Sequence, residues 1–465
     1  MIFTKQPDLN MKKLTFLLFI LIFPFFCMAQ NSSGEWESLF NGKDLSGWRD
    51  LNGDHIWEAK DGMIIGTMVL GQPNGFLCTE REFQDFIFEC EVSIDTLMNN
   101  SGIEIRNVAT PDYQDKRNPF PEGRVHGYQM EVDPKPQKWS GSIYEEGGTR
   151  GWIYVTAEVN KDAQKSFKNN QWNKYRIEAN GNSMRCWING IPTCHLVDNK
   201  FPKGFLGLQM HANQPNDPPG VYQIRFRDLR VQTKDLKFSP PDNITVINLI
   251  PNDLSAQEKT NGFAFLWDGK TTNGWKGVYS KKFPEKGWEI KEGELRIAPG
   301  QAKNAHIVTK KKYSAFELKF DFKITEGANS GVKFFVDDAD EKKRPATSAL
   351  EYQVVDDARI EASNVTRMMG SLADIKPSAK PRGVAKRTGE WNQGMIKVSP
   401  SRLVEYWLNG YKILECQLGS DEFKSLVAKS KYKDLPGFGT EKNGRILLEN
   451  NGSQVCYRSI KIKEL

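Results

Sequence analysis

The stretch Leu39–Trp48, LFNGKDLSGW, returns about 230 residues later as LWDGKTTNGW at Leu266–Trp275, so the chain has to fold as two copies of one unit. Further pairs follow in the same order: WEAKDG at Trp57 and WEIKEG at Trp288, NSGIEIR at Asn100 and NSGVKFF at Asn329, YQMEVD at Tyr128 and YQVVDD at Tyr352, WNKYRIE at Trp172 and WNQGMIK at Trp391, WINGI at Trp187 and WLNGY at Trp407. Collinear matches over about 200 residues describe a whole domain, not a solenoid repeat. The expected division is a signal peptide at 1–29, a first copy at 34–235, a linker at 236–261 around Pro240-Pro241, and a second copy at 262–465.

Each copy is long enough to bury a core without metals or disulfides. Met11-Lys-Lys, the apolar run Leu14 to Phe26 and Cys27-Met-Ala29 form the three regions of an export signal, with cleavage expected after Ala29 and a periplasmic or secreted destination. Pro24-Phe-Phe before Cys27 lacks the small residues of a lipoprotein signal, so lipid anchoring there is not expected. Cleavage lowers the formal charge from +6 to +4 and leaves no basic block, which argues against nucleic acid as a partner. No other apolar run approaches the ~20 residues of a membrane span. The remaining six cysteines show no CxxC spacing. A two-residue turn at Asn189-Gly190 sets Cys186 opposite Thr193 and predicts no Cys186–Cys194 disulfide.

Beyond the signal, short runs alternate with period two: Phe86 to Val92, Ile103 to Ile105, Tyr128 to Val132, Tyr175 to Ile177, Phe316 to Phe322, Ile396 to Val398 and Ile460 to Ile462. Asn-Gly and Asp-Gly pairs separate them, and one helical stretch stands out near Ser420 to Lys431. The pattern predicts an all-β chain of two jelly-roll sandwiches.

On the Tyr128–Val132 run, Gln129, Glu131 and Asp133 share the face opposite the apolar set, and Glu104 with Arg106 share the face away from Ile103 and Ile105. Such a stripe is either a solvated outer face or a cleft with shifted pKa values. The second copy bears on that choice. It replaces Glu104 by Lys333, Arg106 by Phe335, Glu131 by Val355, Tyr144 by Ala373 and His211 by Asn451, while keeping the Trp-Asn and Asn-Gly scaffold residues. Coordinated loss of polar groups from separate segments favours a site in the first copy. His211, after the strand Leu206 to Gln209, ranks first as a titrating group and His126 second; His195 reads as packing. No histidine spacing marks a transition-metal site, although a Ca²⁺ or another divalent ion on Glu131, Asp133 and His211 stays open, since oxygen ligands leave little trace in sequence. No cofactor is expected. The laminarinase pattern Glu-x-Asp-x-(x)-Glu begins at Glu131-Val-Asp133 but meets Lys135 and Pro136 where its third carboxylate belongs. Double displacement, which needs two carboxyls about 5 Å apart, is therefore disfavoured.

LFNGKDLSGW, NSGIEIR, GYQMEVDP, GSIYEEGGTRGW, WNKYRIEANGN, WINGIP and GFLGLQMH resemble the 3-keto-disaccharide hydrolase domain family, over nearly all of both copies. The resemblance implies a concanavalin-A-like jelly roll and cleavage of a glycoside oxidised at C3 of its glucose unit. The second copy is similar to the commoner form of the family but has Tyr406 and Asn451 where histidines are usual and Ala373 where tyrosine is usual, so activity is expected of the first copy. There the resemblance implies His211 or Glu131 as base, Arg106 and Tyr144 as enolate donors, and Asp133 or Glu104 as orienting or proton-donating groups. Gln129, His126, Trp152, Glu145 and Glu104 are expected around the substrate. A sugar 3-dehydrogenase is implied as the upstream pathway enzyme. The competing reading is a non-catalytic carbohydrate-binding jelly roll with Trp139, Trp152 or Trp172 as stacking platforms.

Overall fold

The computed structural model describes Met1 and residues 34–95, 100–116, 119–212, 220–301, 304–337 and 349–465. The export signal with Cys27 and Ala29 lies outside the described residues. The chain is all-β, two tandem concanavalin-A-like jelly rolls. Among the described residues the first copy has a seven-stranded sheet and a sheet of eight strands to which the connecting segment adds a ninth, the second an eight-stranded and a five-stranded sheet. Helices are few and short: Thr156–Val159, Ala256–Thr260 and Asp421–Ala428, the last within the stretch expected to be helical. Among the described residues no helix is long and apolar enough to cross a membrane.

The repeat is visible in hydrogen bonds as well as in letters. The Trp48 indole donates to Leu39 O at 2.7 Å and the Trp275 indole to Leu266 O at 2.9 Å, which explains why both ends of this ten-residue motif recur. Asn189 Nδ2 donates to Asn173 Oδ1 at 2.9 Å, and Asn409 Nδ2 to Asn392 Oδ1 at 2.8 Å, locking the same turn to the same strand. Ser101 and Ser330 hydroxyls each donate at 2.6 Å, to Gln209 O and Glu449 O, in the equivalent place of each copy.

The first core lies between its two sheets, with Tyr128, Met130, Val132, Ile103, Leu206 and Met210 from one meeting Phe86, Phe88, Tyr175 and Ile177 from the other. Full burial of side chains of this size contributes roughly 1.5–3 kcal/mol each. The seven-stranded sheet runs, edge to edge, Trp152–Tyr154, Ile143–Glu146, His126–Val132, Ser101–Val108, Gly204–Met210, Gly75–Phe83, Trp48–Asn52. Its outer face is covered rather than solvated. Gln129, Glu104 and Glu131 are buried there, and a second apolar cluster of Leu51, Phe76, Cys78, Val125 and Phe205 sits beside them.

Two sequence expectations give way to bulges. Cys186 stands directly opposite Cys194, because the register shifts between Cys186 and Trp187; both thiols are buried and free. Arg106 has a left-handed φ of 53°, and the pairing slips between Ile105 and Val108, so its side chain leaves the Glu104 face. The second copy keeps this bulge at Phe335, φ 59°.

The connecting segment is structured and holds the copies together. Ile247–Asn248 adds a parallel strand to Ile191–Val197, while Val246 O accepts from Lys319 Nζ at 2.8 Å and Asn248 O from Gln393 Nε2 at 2.9 Å.

Candidate active site

A cavity of about 480 Å³ opens on the outer face of the seven-stranded sheet of the first copy. Strand pairing puts its floor residues in rows. Tyr144, Gln129, Glu104 and Gly207 follow one another across four strands, and Glu131 pairs with Gly102 in the next row. Glycine at 102 is required by the neighbour: a Cβ there would stand 2.4 Å from the Gln129 side chain.

Of the residues singled out in the sequence, Glu131, Gln129, Tyr144, Trp152 and His211 line the cavity, joined by Arg124, Glu146, Gln209, Asn74 and Asn100. Gln129 Nε2 donates to Glu131 Oε2 at 2.8 Å, and Gln209 Nε2 donates to Gln129 Oε1 at 2.7 Å and Glu146 Oε2 at 3.2 Å. Arg124 donates to Glu146 and, at 3.0 Å, to Asn52 Oδ1, with its guanidinium 5.1 Å from the Phe76 ring centre. His211 sits at the rim, its Nδ1 2.6 Å from Ala212 O. Tyr144 packs edge-on against Trp152, which packs edge-on against Trp139.

Burial decides the charge state. Glu131 is 1% exposed, and desolvation pushes its carboxyl well above the usual range although Gln129 opposes it. Glu104, 0% exposed beneath the floor and bonded to Asn107, is pushed the same way by burial and then by Glu146, with Arg124 pulling against them. Burial, then Glu146 and Glu131, raise the Tyr144 phenol. Burial therefore favours the protonated form of this carboxyl and of the phenol, next to a guanidinium. Gln209 Oε1 and Asn100 Oδ1 are buried acceptors with no partner among the described residues, and Glu131 Oε1, equally without one there, is the oxygen left to carry the proton because Oε2 accepts from Gln129; all three suit a ligand's hydroxyl groups.

The remaining expected residues lie elsewhere. Arg106, 1% exposed, donates to Gln84 O and, at 2.8 Å, to Gly181 O, and meets Asp85 at 3.2 Å; it ties two turns together at the end of the sandwich and is not an enolate donor. Glu145 points away from the cavity to Arg150 and Lys200. His126 packs on Tyr113 with ring centres 4.0 Å apart and donates its Nδ1–H to Arg124 O at 2.8 Å, outside the lining. Asp133 is buried behind Glu131 and caps Lys135 N at 2.9 Å. Trp172 carries the Arg227 guanidinium on its ring, away from the cavity. His195 packs in the interior against Ser183, as expected. Among the described residues no cluster of three His, Cys, Asp or Glu is arranged to hold a metal ion.

Period two was the signal for two of the missed residues. Glu146 shares the Tyr144 face and Gln209 the His211 face. Arg124 comes from a loop, and no sequence pattern marks it.

A profile of the 3-keto-alpha-glucoside-1,2-lyase-like domain matches residues 35–232 and 262–463. A Bacteroides thetaiotaomicron protein named 3-keto-disaccharide hydrolase is 30% identical over 234 residues, covering 44% of this chain and 79% of the relative. Two solved structures from Parabacteroides distasonis, described as candidate glycosyl hydrolases, are also similar. The first is 28% identical over 46% of this chain and 100% of its own, TM-score 0.42; the second is 26% identical over 42% and 100%, TM-score 0.33.

Proposed function

The chain belongs to the 3-keto-alpha-glucoside-1,2-lyase-like family, and from that premise we propose that it is an exported enzyme cleaving glycosides whose glucose unit carries a ketone at C3. The supporting observation is that a rim histidine, a buried protonated carboxyl, a phenol and a guanidinium share one cavity in the first copy.

A ketone at C3 acidifies the hydrogen on C2. His211 takes that proton, and the electron pair moves toward the C3 oxygen, where Tyr144 and Arg124 meet the developing enolate charge. The enolate then expels the C1 substituent: the C1–O bond breaks, a C1–C2 double bond forms, and Glu131 delivers its proton to the departing oxygen. Water adds across the double bond, hydroxyl to C1 and proton to C2, and the products are the 3-keto sugar and the free aglycone. No covalent glycosyl-enzyme is needed, in keeping with the incomplete Glu-x-Asp pattern. A sugar 3-dehydrogenase would supply the substrate.

Cleavage of a chromogenic 3-keto aryl glucoside by His211→Ala, Glu131→Gln and Tyr144→Phe tests these roles. Each is expected to lose about 10²-fold or more in kcat; wild-type rates in all three contradict the assignment.

A further inference from the structure

The second copy holds the larger of the two sheet-face cavities, about 870 Å³ against about 480 Å³. We infer that it is a second carbohydrate-binding site, seated on the Lys333 ammonium between Glu351 and Glu449 and occupied independently of the first. The sugar class rests on the function proposed above; the existence of the site does not.

Register shows that this site is rebuilt and not decayed. The YQ pairs align Glu351 with Gly127, and Gly127 is the residue that pairs with Glu146 across the first-copy sheet. The first copy thus carries its carboxylate on one strand with glycine opposite, and the second carries it on the neighbouring strand. The cation has moved as well, from the loop residue Arg124 to the floor residue Lys333, which occupies the position of Glu104. Lys333 Nζ lies 2.6 Å from Glu449 Oε1 and 3.4 Å from Glu351 Oε2, and Glu449 stands where the first copy has Gln209. Gln353 and Asn329 keep the places of Gln129 and Asn100, and Gln353 Nε2 donates to Asn329 Oδ1 at 2.8 Å. Drift after loss of function would leave a buried ammonium or carboxylate without its complement, which a protein interior tolerates poorly. Here each charge has a partner: Lys333 is held above its ordinary range by Glu351 and Glu449 despite burial, and burial pushes Glu351 up to about 7.

The lining identifies the ligand class. Amide, carboxyl and ammonium groups of both hydrogen-bonding senses surround the cavity; at its mouth Arg367 and Lys431 both pair with Asp374, and over the whole lining five carboxyl side chains outnumber four cationic ones. That is a seat for a neutral polyhydroxylated ring, not for an anion. With Ala373 and Asn451 at the positions of Tyr144 and His211, it holds the sugar without the phenol and imidazole used in the first copy.

Calorimetric titration of the full chain tests this. Glu131→Gln, which blocks turnover in the first copy, is titrated with 3-keto-trehalose and with trehalose. Two sites per chain are expected for at least one of these sugars. Lys333→Met in that background should weaken one site about tenfold or more, while Lys333→Met alone leaves first-copy turnover unchanged. Asn451→Ala, at the partly exposed edge, repeats the test if Lys333→Met does not fold. One site or none, unaltered by both substitutions, overturns the proposal. Turnover of 3-keto-trehalose by the wild-type chain is scored separately, so two-site binding without turnover would count against the enzymatic reading and leave the second site standing.

Discussion

Glu145 and Glu146 are neighbours in the chain that face opposite ways: Glu146 pairs with Arg124 in the cavity wall, while Glu145 accepts from Lys200 Nζ at 2.6 Å and from Arg150 Nε at 3.0 Å behind it. For Glu145, burial is outweighed by these hydrogen bonds, which hold its carboxyl below the ordinary range. The pair separates catalysis from stability. Glu146→Gln loosens the guanidinium proposed to meet the enolate and should lower kcat by about 10²-fold. Glu145→Gln takes a buried acceptor from the part-exposed Arg150 and Lys200, costing about 1–2 kcal/mol of stability with kcat of the folded enzyme nearly unchanged. Urea denaturation alongside initial rates distinguishes them.

Arg106 separates the same two properties at the far end of the sandwich. Arg106→Ala strands the carbonyls of Gln84 and Gly181 and should destabilise the chain by about 2–3 kcal/mol. Its kcat on a 3-keto-glucoside should stay within about twofold of wild type, because the side chain never reaches the cavity. A large kcat loss with intact stability would return Arg106 to the site.

The two histidines nearest the stripe should behave oppositely. His126→Phe preserves the stack on Tyr113 and is expected to keep activity. His211→Ala removes the proposed base and should cost about 10²-fold or more. Steady-state kinetics of the two variants side by side makes the comparison.

Glu131 gives a pH signature. Burial holds its folded-state pKa above the ordinary carboxyl value of about 4.5, so the protonated form favours the fold. That contribution is complete below about pH 4.5 and is lost as pH rises through the folded value. Glu131→Gln should therefore raise Tm relative to wild type at alkaline pH, with the difference shrinking toward acid. Thermal melts across the pH range read this out, and a Tm gain that grows toward acid would contradict the buried, protonated carboxyl.

The duplication, the sandwich class and most of the cavity face were legible because side-chain alternation follows strand period, and strand period is written in the sequence. Glu131 and Gln129 came from that rule, and Tyr144 from the comparison of the two copies. The errors arose where local backbone geometry breaks it. A single left-handed residue turns Arg106 out of its row, and a one-residue shift brings Cys186 opposite Cys194. Choosing Glu145 over Glu146 was a failure to apply the rule from Tyr144. Arg124 was out of reach for another reason: a loop delivers it, and only the folded chain shows that Asn52 and Glu146 hold it in the cavity wall.

The central claim is tested most directly by incubating the full chain in D₂O with 3-keto-trehalose or its unoxidised parent, with and without chelator, and analysing the released sugar by NMR. Cleavage of the keto substrate alone, with deuterium at C2 of the product, is the result the C2-proton mechanism requires. Equal cleavage of the unoxidised parent, or a keto product that retains its C2 hydrogen, would contradict it.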